Sequence, residues 1–97
     1  MKLKDTMKLK DTIEMMQSAD YKERFKAEYY QTKIRYEKLH DMCLRYETGK
    51  LNFTPDCSLE LLKEQKSMMG GYLNAMEKRA IVEGIELEWI PQETEGE

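Results

Sequence analysis

Residues 21–46 read YKERFKAEYYQTKIRYEKLHDMCLRY, and large apolar side chains recur along them at intervals of four and three. This spacing is typical of a helix that buries one continuous seam against another helix. Thr32 interrupts the seam, whose members are Tyr21, Phe25, Tyr29, Tyr36, Leu39, Cys43 and Tyr46. A buried tyrosine keeps a hydroxyl that needs a hydrogen-bond partner. The seam is therefore either an unusually polar core or a core that also serves as a binding surface.

Boundary signals mark both ends of this helix. Asp20 stands three residues before Glu23, an Asp-headed variant of the capping box that predicts a helix start. The helix can run to about Glu47, because Gly49 stops it. Upstream, residues 8–17 are predicted to form a short amphipathic helix. Its apolar face consists of Leu9, Ile13 and Met16.

A second helix is predicted after a short crossover. Thr54 can cap it with Pro55 at its first position, and Ser58 is the alternative N-cap. The helix ends at Gly84, because glycine readily adopts the left-handed conformation that closes a helix. Its stripe consists of Leu61, Gln65, Met68, Tyr72, Ala75, Arg79 and Val82. Two such helices predict an all-α antiparallel hairpin in which the numbers of paired residues sum to about 107.

The hairpin is expected to form a central domain, residues 18–84, between two different ends. Residues 1–17 begin with two copies of the hexapeptide MKLKDT, and residues 85–97 form an acidic tail. All 16 lysines and arginines lie within residues 1–82, against 13 acidic residues. Such a mildly basic body disfavours binding to duplex nucleic acid.

The composition excludes further classes of protein. The chain has 97 residues, enough for one domain, and its 36% of charged residues is typical of long, solvated helices. No apolar run approaches 18 residues, so no membrane contact is expected. With two cysteines and no secretory signal, we expect a cytosolic protein with free thiols.

Oligomerisation through the helix faces is expected, because one seam between two helices is a thin core. A second apolar face is available from Ile34, Met42, Leu62, Met69, Leu73 and Met76. Gly70 and Gly71 lie in mid-helix, where each costs about 1 kcal/mol relative to alanine. Close approach of another backbone, or of a neighbouring subunit, is the expected reason for them.

The sequence has no constellation typical of an enzyme. It lacks a Ser-His-Asp set in a recognisable context, a phosphate-binding glycine loop and a carboxylate pair in a defined pocket. His40, Cys43 and Cys57 could supply three zinc ligands near the loop, but a fourth ligand is not evident. We therefore expect a non-enzymatic protein without a metal site or a cofactor.

Two runs, residues 21–26 and 30–36, interleave aromatic rings with cations. Rings can stack on bases while cations meet phosphates, although the rings can equally be core and the cations a solvated face. Tyr21 stands in the first helical turn with Lys22 and Arg24, where free backbone N–H groups favour an anion. The pairing rule places Tyr21 opposite about Glu86, beyond the second helix, and so outside the core.

Arg79 is unusual because it lies on an apolar stripe, where an arginine must pair with an acid or contact a ligand. Glu28 is the expected structural partner. A ligand phosphate or a bridge to another subunit is the alternative.

Three segments resemble a known family: RYEKL at 35–39, LLKEQ at 61–65 and YLNAMEKRA at 72–80. Over roughly residues 20–83, the chain resembles small helical-hairpin proteins of phages and prophages. These are similar to the sponges that sequester cyclic-nucleotide immune signals, the anti-CBASS and anti-Thoeris proteins. The resemblance implies a homo-oligomer, of which a hexamer is one arrangement, with pockets for a cyclic dinucleotide or related nucleotide between subunits.

The resemblance also implies roles for single residues. Tyr21 matches an aromatic residue that stacks on a base, and Arg79 matches an arginine of the second helix. Lys33 matches a lysine that meets the phosphates, with Arg35 as the alternative. The complete predicted ligand-binding set is Tyr21, Lys22, Arg24, Lys33, Arg35 and Arg79. A helical interaction module that inhibits or scaffolds a host or phage protein is the alternative function, and a phage accessory oligomer without a ligand is a third.

Overall fold

Three α-helices make up the fold, which a computed structural model describes for residues 7–88. A short 3-10 turn, Leu9–Thr12, leads into α1, Ile13–Met16. The long helices are α2, Tyr21–Glu47, and α3, Leu59–Glu83. The prediction of an all-α hairpin preceded by a short helix is confirmed for this part of the chain. The first copy of the hexapeptide lies outside the described residues.

Side-chain pairs between α2 and α3 establish that the two helices are antiparallel. The Tyr29 hydroxyl donates to Glu77 Oε2 at 2.6 Å, and His40 Nδ1 lies 3.0 Å from Lys66 Nζ. Both pairs of numbers sum to 106, close to the predicted value of about 107. The register of the hairpin could therefore be predicted from the sequence.

The seam of α2 is buried or partly buried along its length and exposed only at its start. Phe25, Tyr29 and Cys43 are buried, whereas Tyr21 is 44% exposed. Three further residues of α2, Ala27, Tyr30 and Ile34, are also buried. They lie on a face of α2 outside the predicted stripe. This face is buried because the residues before Tyr21 and after Gly84 pack on it.

The N-terminal segment packs on α2 and not on α3. Met7, Leu9 and Met15 contact the core, whereas Ile13 and Met16 are about half exposed. The predicted apolar face of this segment was therefore right for Leu9 only. The short 3-10 turn rotates the following residues away from the face that a continuous helix would give them.

The stripe predicted for α3 was wrong. Four other residues of the helix, Leu62, Leu73, Met76 and Ala80, are its buried residues. The predicted members Leu61, Met68, Tyr72 and Val82 are instead 54%, 68%, 45% and 85% exposed. Because one residue turns a helix by about 100°, the two sets are neighbouring faces, and both are apolar. Periodicity alone could not choose between them.

The caps explain where the two long helices begin and end. Asp20 Oδ1 accepts a hydrogen bond from the Lys22 amide at 3.0 Å. Ser58, the alternative in the sequence, caps α3 by accepting from the Leu61 amide at 3.1 Å, so the choice of Thr54 was wrong. Gly84 is left-handed, with φ of 70°, and closes α3 as predicted.

The chain remains packed beyond Gly84, where the hairpin was predicted to end. Ile85 is buried in the core, and Leu87 packs against it. The Glu88 amide donates to the Tyr30 hydroxyl at 2.9 Å. The start of the predicted acidic tail thus contributes to the hairpin core. No helix of the described part is long and apolar enough to cross a membrane.

Replacing Ser58 with alanine should destabilise the fold, since Ser58 satisfies an amide that has no partner within α3. We expect the free energy of unfolding to fall by about 1 kcal/mol in urea denaturation. Thr54→Ala is the matched control and should change it by less than about 0.5 kcal/mol. Equal losses for the two variants would contradict the assignment of the cap.

Replacing Tyr29 with phenylalanine should also destabilise the fold, because the partly buried Glu77 carboxylate loses its donor. We expect a loss of about 1–3 kcal/mol at pH 7 by urea denaturation. Tyr46→Phe serves as a control, since the Tyr46 hydroxyl has no hydrogen bond within residues 7–88. A loss of similar size in the control would contradict this prediction.

The same variant should change the stability at alkaline pH. Burial and the hydrogen bond to Glu77 raise the pKa of Tyr29 well above its ordinary value. The unfolded chain therefore releases this proton near pH 10 while the folded chain keeps it. Stability from this group is complete below that pH and falls above it by up to about 1.4 kcal/mol per pH unit. Tyr29→Phe should lose this slope, and an unchanged slope would contradict the assignment.

Candidate functional site

The open end of the hairpin carries a cluster of three polar side chains from α2 and α3, which we call the Tyr21 cluster: Tyr21, Arg79 and Glu83. The Tyr21 hydroxyl donates to Glu83 Oε1 at 2.7 Å. Arg79 Nε donates to Glu83 Oε2 at 2.9 Å, and Arg79 Nη2 donates to the Tyr21 hydroxyl. The cluster is a closed ring of hydrogen bonds that joins Tyr21 to two residues about 60 positions later in the sequence.

Phe25 forms the floor beneath the Tyr21 cluster. The Arg79 guanidinium carbon lies 4.9 Å from the centre of the Phe25 ring, and the Tyr21 ring centre lies 6.3 Å from it at a tilt of 60°. Phe25 itself is buried. The cation–π contact and the tilted rings hold Arg79 and Tyr21 side by side at the surface.

Hydrogen bonding within the cluster shifts the pKa of each member. The hydrogen bond from Tyr21 to Glu83 is the largest cause of the raised pKa of Tyr21. The separate hydrogen bond from Arg79 to Glu83 is the largest cause of the raised pKa of Arg79. The pKa of Glu83 is lowered, first by Arg79 and then by Tyr21, and nearby Lys22 adds to this effect. At neutral pH the cluster therefore contains a carboxylate, a guanidinium and a neutral phenol.

The structure changes two expectations about Tyr21 and Arg79. Tyr21 does not lie beyond the end of α3, because it reaches Arg79 and Glu83 in the last turns of that helix. The acid that pairs with Arg79 is Glu83, four residues along the same helix, and not Glu28. The pairing of Arg79 with Glu83 is local, because residues four positions apart lie on the same side of a helix.

The first turn of α2 offers fewer free amides than the sequence suggested. Asp20 accepts from the amide of Lys22 through its side chain, and from the amides of Glu23 and Arg24 through its carbonyl. An anion at this helix start would have to replace the Asp20 carboxylate. The Arg79 guanidinium is thus a better anchor for an anion than the helix terminus.

The other predicted site residues are spread along α2. Lys22 and Arg24 are exposed near the cluster, and Arg24 Nη1 donates to the Ser18 carbonyl at 2.8 Å. Lys33 is partly buried and Arg35 exposed, and both lie about 18 Å or more along the helix from Tyr21. Within one chain the fold brings Tyr21, Lys22 and Arg79 together, but not Lys33 and Arg35.

The Tyr21 cluster has the chemical groups that bind a phosphorylated aromatic ligand. Tyr21 is 44% exposed and the Arg79 side chain 53%, so the ring and the guanidinium are both open to solvent. An exposed ring can stack on a base, and a guanidinium binds phosphate through two parallel hydrogen bonds. Glu83 competes with such a phosphate, because it occupies one edge of the guanidinium.

The possible zinc ligands do not form a metal site in the described part of the chain. No group of three histidine, cysteine or acidic side chains among residues 7–88 could hold a metal ion. Cys43 is buried in the hairpin, and His40 faces Lys66 at the surface.

These features define a helical hairpin with a polar cluster exposed at the open end. A family model named Sequestin matches residues 19–81, which include both long helices except the last two residues of α3. The chain belongs to the Sequestin family. Neither the comparison with curated proteins nor that with solved structures gave a match.

Sequence reasoning identified Tyr21 and Arg79 but missed Phe25 and Glu83 as members of the site. Phe25 was considered only as a seam residue and as one ring of the 21–26 run, and Glu83 was not considered as a site residue. The spacing of Arg79 and Glu83 by four residues, typical of a helical ion pair, was the signal that could have revealed Glu83.

Replacing Glu83 with glutamine should lower the pKa of Tyr21 toward its ordinary value, because the carboxylate is the main cause of the rise. An absorbance titration of tyrosinate should show one phenol ionising at lower pH than in the parent chain. Repeating the titration in a Tyr21→Phe background assigns the change, and Glu86→Gln is the control for the lost charge. A titration that does not respond to Glu83→Gln would contradict the hydrogen bond.

Proposed function

We propose that this chain is a phage-encoded, non-enzymatic and multimeric protein that captures a cyclic oligonucleotide or related nucleotide immune signal in the cytosol of the bacterial host. Membership of a family whose name denotes sequestration supports this proposal. So does the sequence resemblance to the anti-CBASS and anti-Thoeris sponges. The observation that carries it is the pairing of Tyr21 and Arg79 at one exposed surface.

The Tyr21 cluster suits capture better than chemistry. Its phenol is neutral and hydrogen-bonded, its guanidinium is always charged, and its carboxylate is held ionised by Arg79. None of the three is poised to exchange a proton near neutral pH. They can instead contact a base and a phosphate at the same time, and this is enough for sequestration.

Ligand binding requires an exchange of partners at Arg79. The incoming phosphate replaces the Glu83 carboxylate on the guanidinium, and Lys22 supplies a second positive charge nearby. Glu83 then competes with the ligand for the Arg79 guanidinium. A singly charged anion replaces the carboxylate poorly, whereas a multiply charged nucleotide replaces it well. Glu83→Gln should accordingly strengthen nucleotide binding.

Lys33 and Arg35 take part in this proposal only through a second subunit. They are too far along α2 to reach a ligand held by Tyr21 in the same chain. In a homo-oligomer, α2 of another subunit can bring them to the ligand, with the pocket between the subunits as the family resemblance implies.

A second candidate function is a helical module that inhibits or scaffolds a host or phage protein. The exposed apolar side chains of α3 favour it, because such surfaces are typical of protein interfaces. Recovery of one bacterial protein in a fixed ratio with this chain would support the module.

Thermal unfolding with a panel of cyclic dinucleotides, cyclic trinucleotides and ADP-ribose derivatives tests the nucleotide proposal. A ligand at 100 times its dissociation constant stabilises the fold by about 2.7 kcal/mol, so we expect the Tm to rise on the order of 10 °C. With the nucleotide so found, calorimetry should show that Arg79→Ala weakens binding by about 10-fold or more.

The matched control is Arg45→Ala, because Arg45 is also exposed and paired with an acid four residues away, but lies at the loop end. Its affinity should equal that of the parent chain. The proposal fails if no nucleotide of the panel raises the Tm. It also fails if Arg79→Ala and Arg45→Ala bind equally well.

A further inference from the structure

One face of α3 is apolar and exposed along the length of the helix. We call it the α3 strip, and its members are Leu61, Met68, Tyr72, Ala75 and Val82. The four large side chains are between 45% and 85% exposed. Among the helices, α3 contacts only α2, because the N-terminal segment packs on the other side of the hairpin. The strip is about 30 Å long, the length of a complete helix–helix interface.

Gly71 lies beside the middle of this strip, and nothing among residues 7–88 packs against the position that its side chain would occupy. A Cβ atom added to Gly71 would meet nothing within 4 Å, whereas one added to Gly70 would lie 3.4 Å from the Tyr36 ring. Gly70 thus faces Tyr36 inside the hairpin, at the distance of an ordinary van der Waals contact. Gly71 leaves a gap that costs helix stability and allows another helix to approach closely.

The charges beside the strip are arranged symmetrically about Gly71. Glu64 lies seven residues before it and Lys78 seven residues after it, so all three share one edge of the helix. Glu64 and Lys78 are both exposed. If a second α3 packs antiparallel with its centre at Gly71, each Glu64 faces a Lys78 of the other copy. A parallel α3 would bring like charges together instead.

We propose that the α3 strip binds the α3 strip of a second copy of this chain, antiparallel, about a two-fold axis near Gly71 and Tyr72. This register places Leu61 against Val82 and Met68 against Ala75. Such an interface is self-complementary in shape and charge, as a two-fold dimer requires. It shares with the proposed function only the expectation of an oligomer, and its test uses no ligand.

The dimer also borders the Tyr21 cluster. Arg79 lies on the same side of α3 as the strip, one turn from Val82. The α3 helix of the second copy therefore runs beside Arg79 and narrows the open side of the cluster. The cluster becomes the wall of a groove between two subunits.

Charge reversal tests this arrangement through sedimentation velocity over a range of protein concentrations. The parent chain should sediment as a dimer of the 11.6 kDa chain or as an even multiple of it. Glu64→Lys and Lys78→Glu should each weaken dimerisation about 10-fold, because each creates two like-charge contacts per dimer. The double variant should associate as the parent does. An equal mixture of the two single variants should also form dimers, since both contacts of the mixed dimer pair a lysine of one variant with a glutamate of the other.

Lys38→Glu is the control, because it makes the same charge change on an exposed position of α2. It should leave dimerisation unchanged, and circular dichroism should show the same helix content for all variants. A parent chain that stays monomeric over the concentration range overturns the proposal. So does a dimer that neither single reversal weakens, or a double variant that associates no better than the single ones.

Discussion

The hydrogen bond between Tyr29 and Glu77 is the constraint on which the rest of the hairpin depends. A tyrosine that is 98% buried must place its hydroxyl against an acceptor, and Glu77 is the acceptor that α3 presents at this level. In the observed register and rotation of α3, Glu77 reaches this hydroxyl while Leu73, Met76 and Ala80 pack in the core. Tyr21 lies eight residues before Tyr29 in α2, and Glu83 lies six residues after Glu77 in α3. The same register therefore brings Tyr21 to Glu83.

The Tyr21 cluster thus depends on the packing of the hairpin core and lies on the core's open end. Phe25 belongs to both, because its ring packs in the core and supports Arg79 from below. The polar cluster is satisfied within itself, so it costs little to keep when no ligand is present. Its two most useful groups for binding, the Tyr21 ring and the Arg79 guanidinium, remain open to solvent because α3 ends one turn beyond Arg79.

The two apolar faces of α3 have different roles. The face with Leu73 and Met76 closes the hairpin, together with Ile85 from the chain beyond the helix. The neighbouring face remains exposed, although it is as apolar as the first, and Gly71 beside it has no packing neighbour at its Cβ position among residues 7–88. A helix with two apolar faces fits a small protein that completes its core by association, because two helices alone bury little surface. The sponge proposal and the dimer proposal meet at this helix, since Arg79 lies on the same side of α3 as the exposed strip.

The sequence by itself determined the two long helices, three of their four ends and their register, whereas the start of α3 was left between Thr54 and Ser58. The spacing of apolar residues, the Asp20 and Gly84 caps and the pairing rule are local or one-dimensional signals, and they are read without knowing the packing. Only the tertiary structure decided which face of α3 is buried, because Leu61 and Leu62 begin two equally apolar stripes. That choice also decided the site. It turned Arg79 toward Phe25 and brought Tyr21 to Arg79 and Glu83, whereas Lys33 and Arg35 stayed apart because a rigid helix separates them from Tyr21.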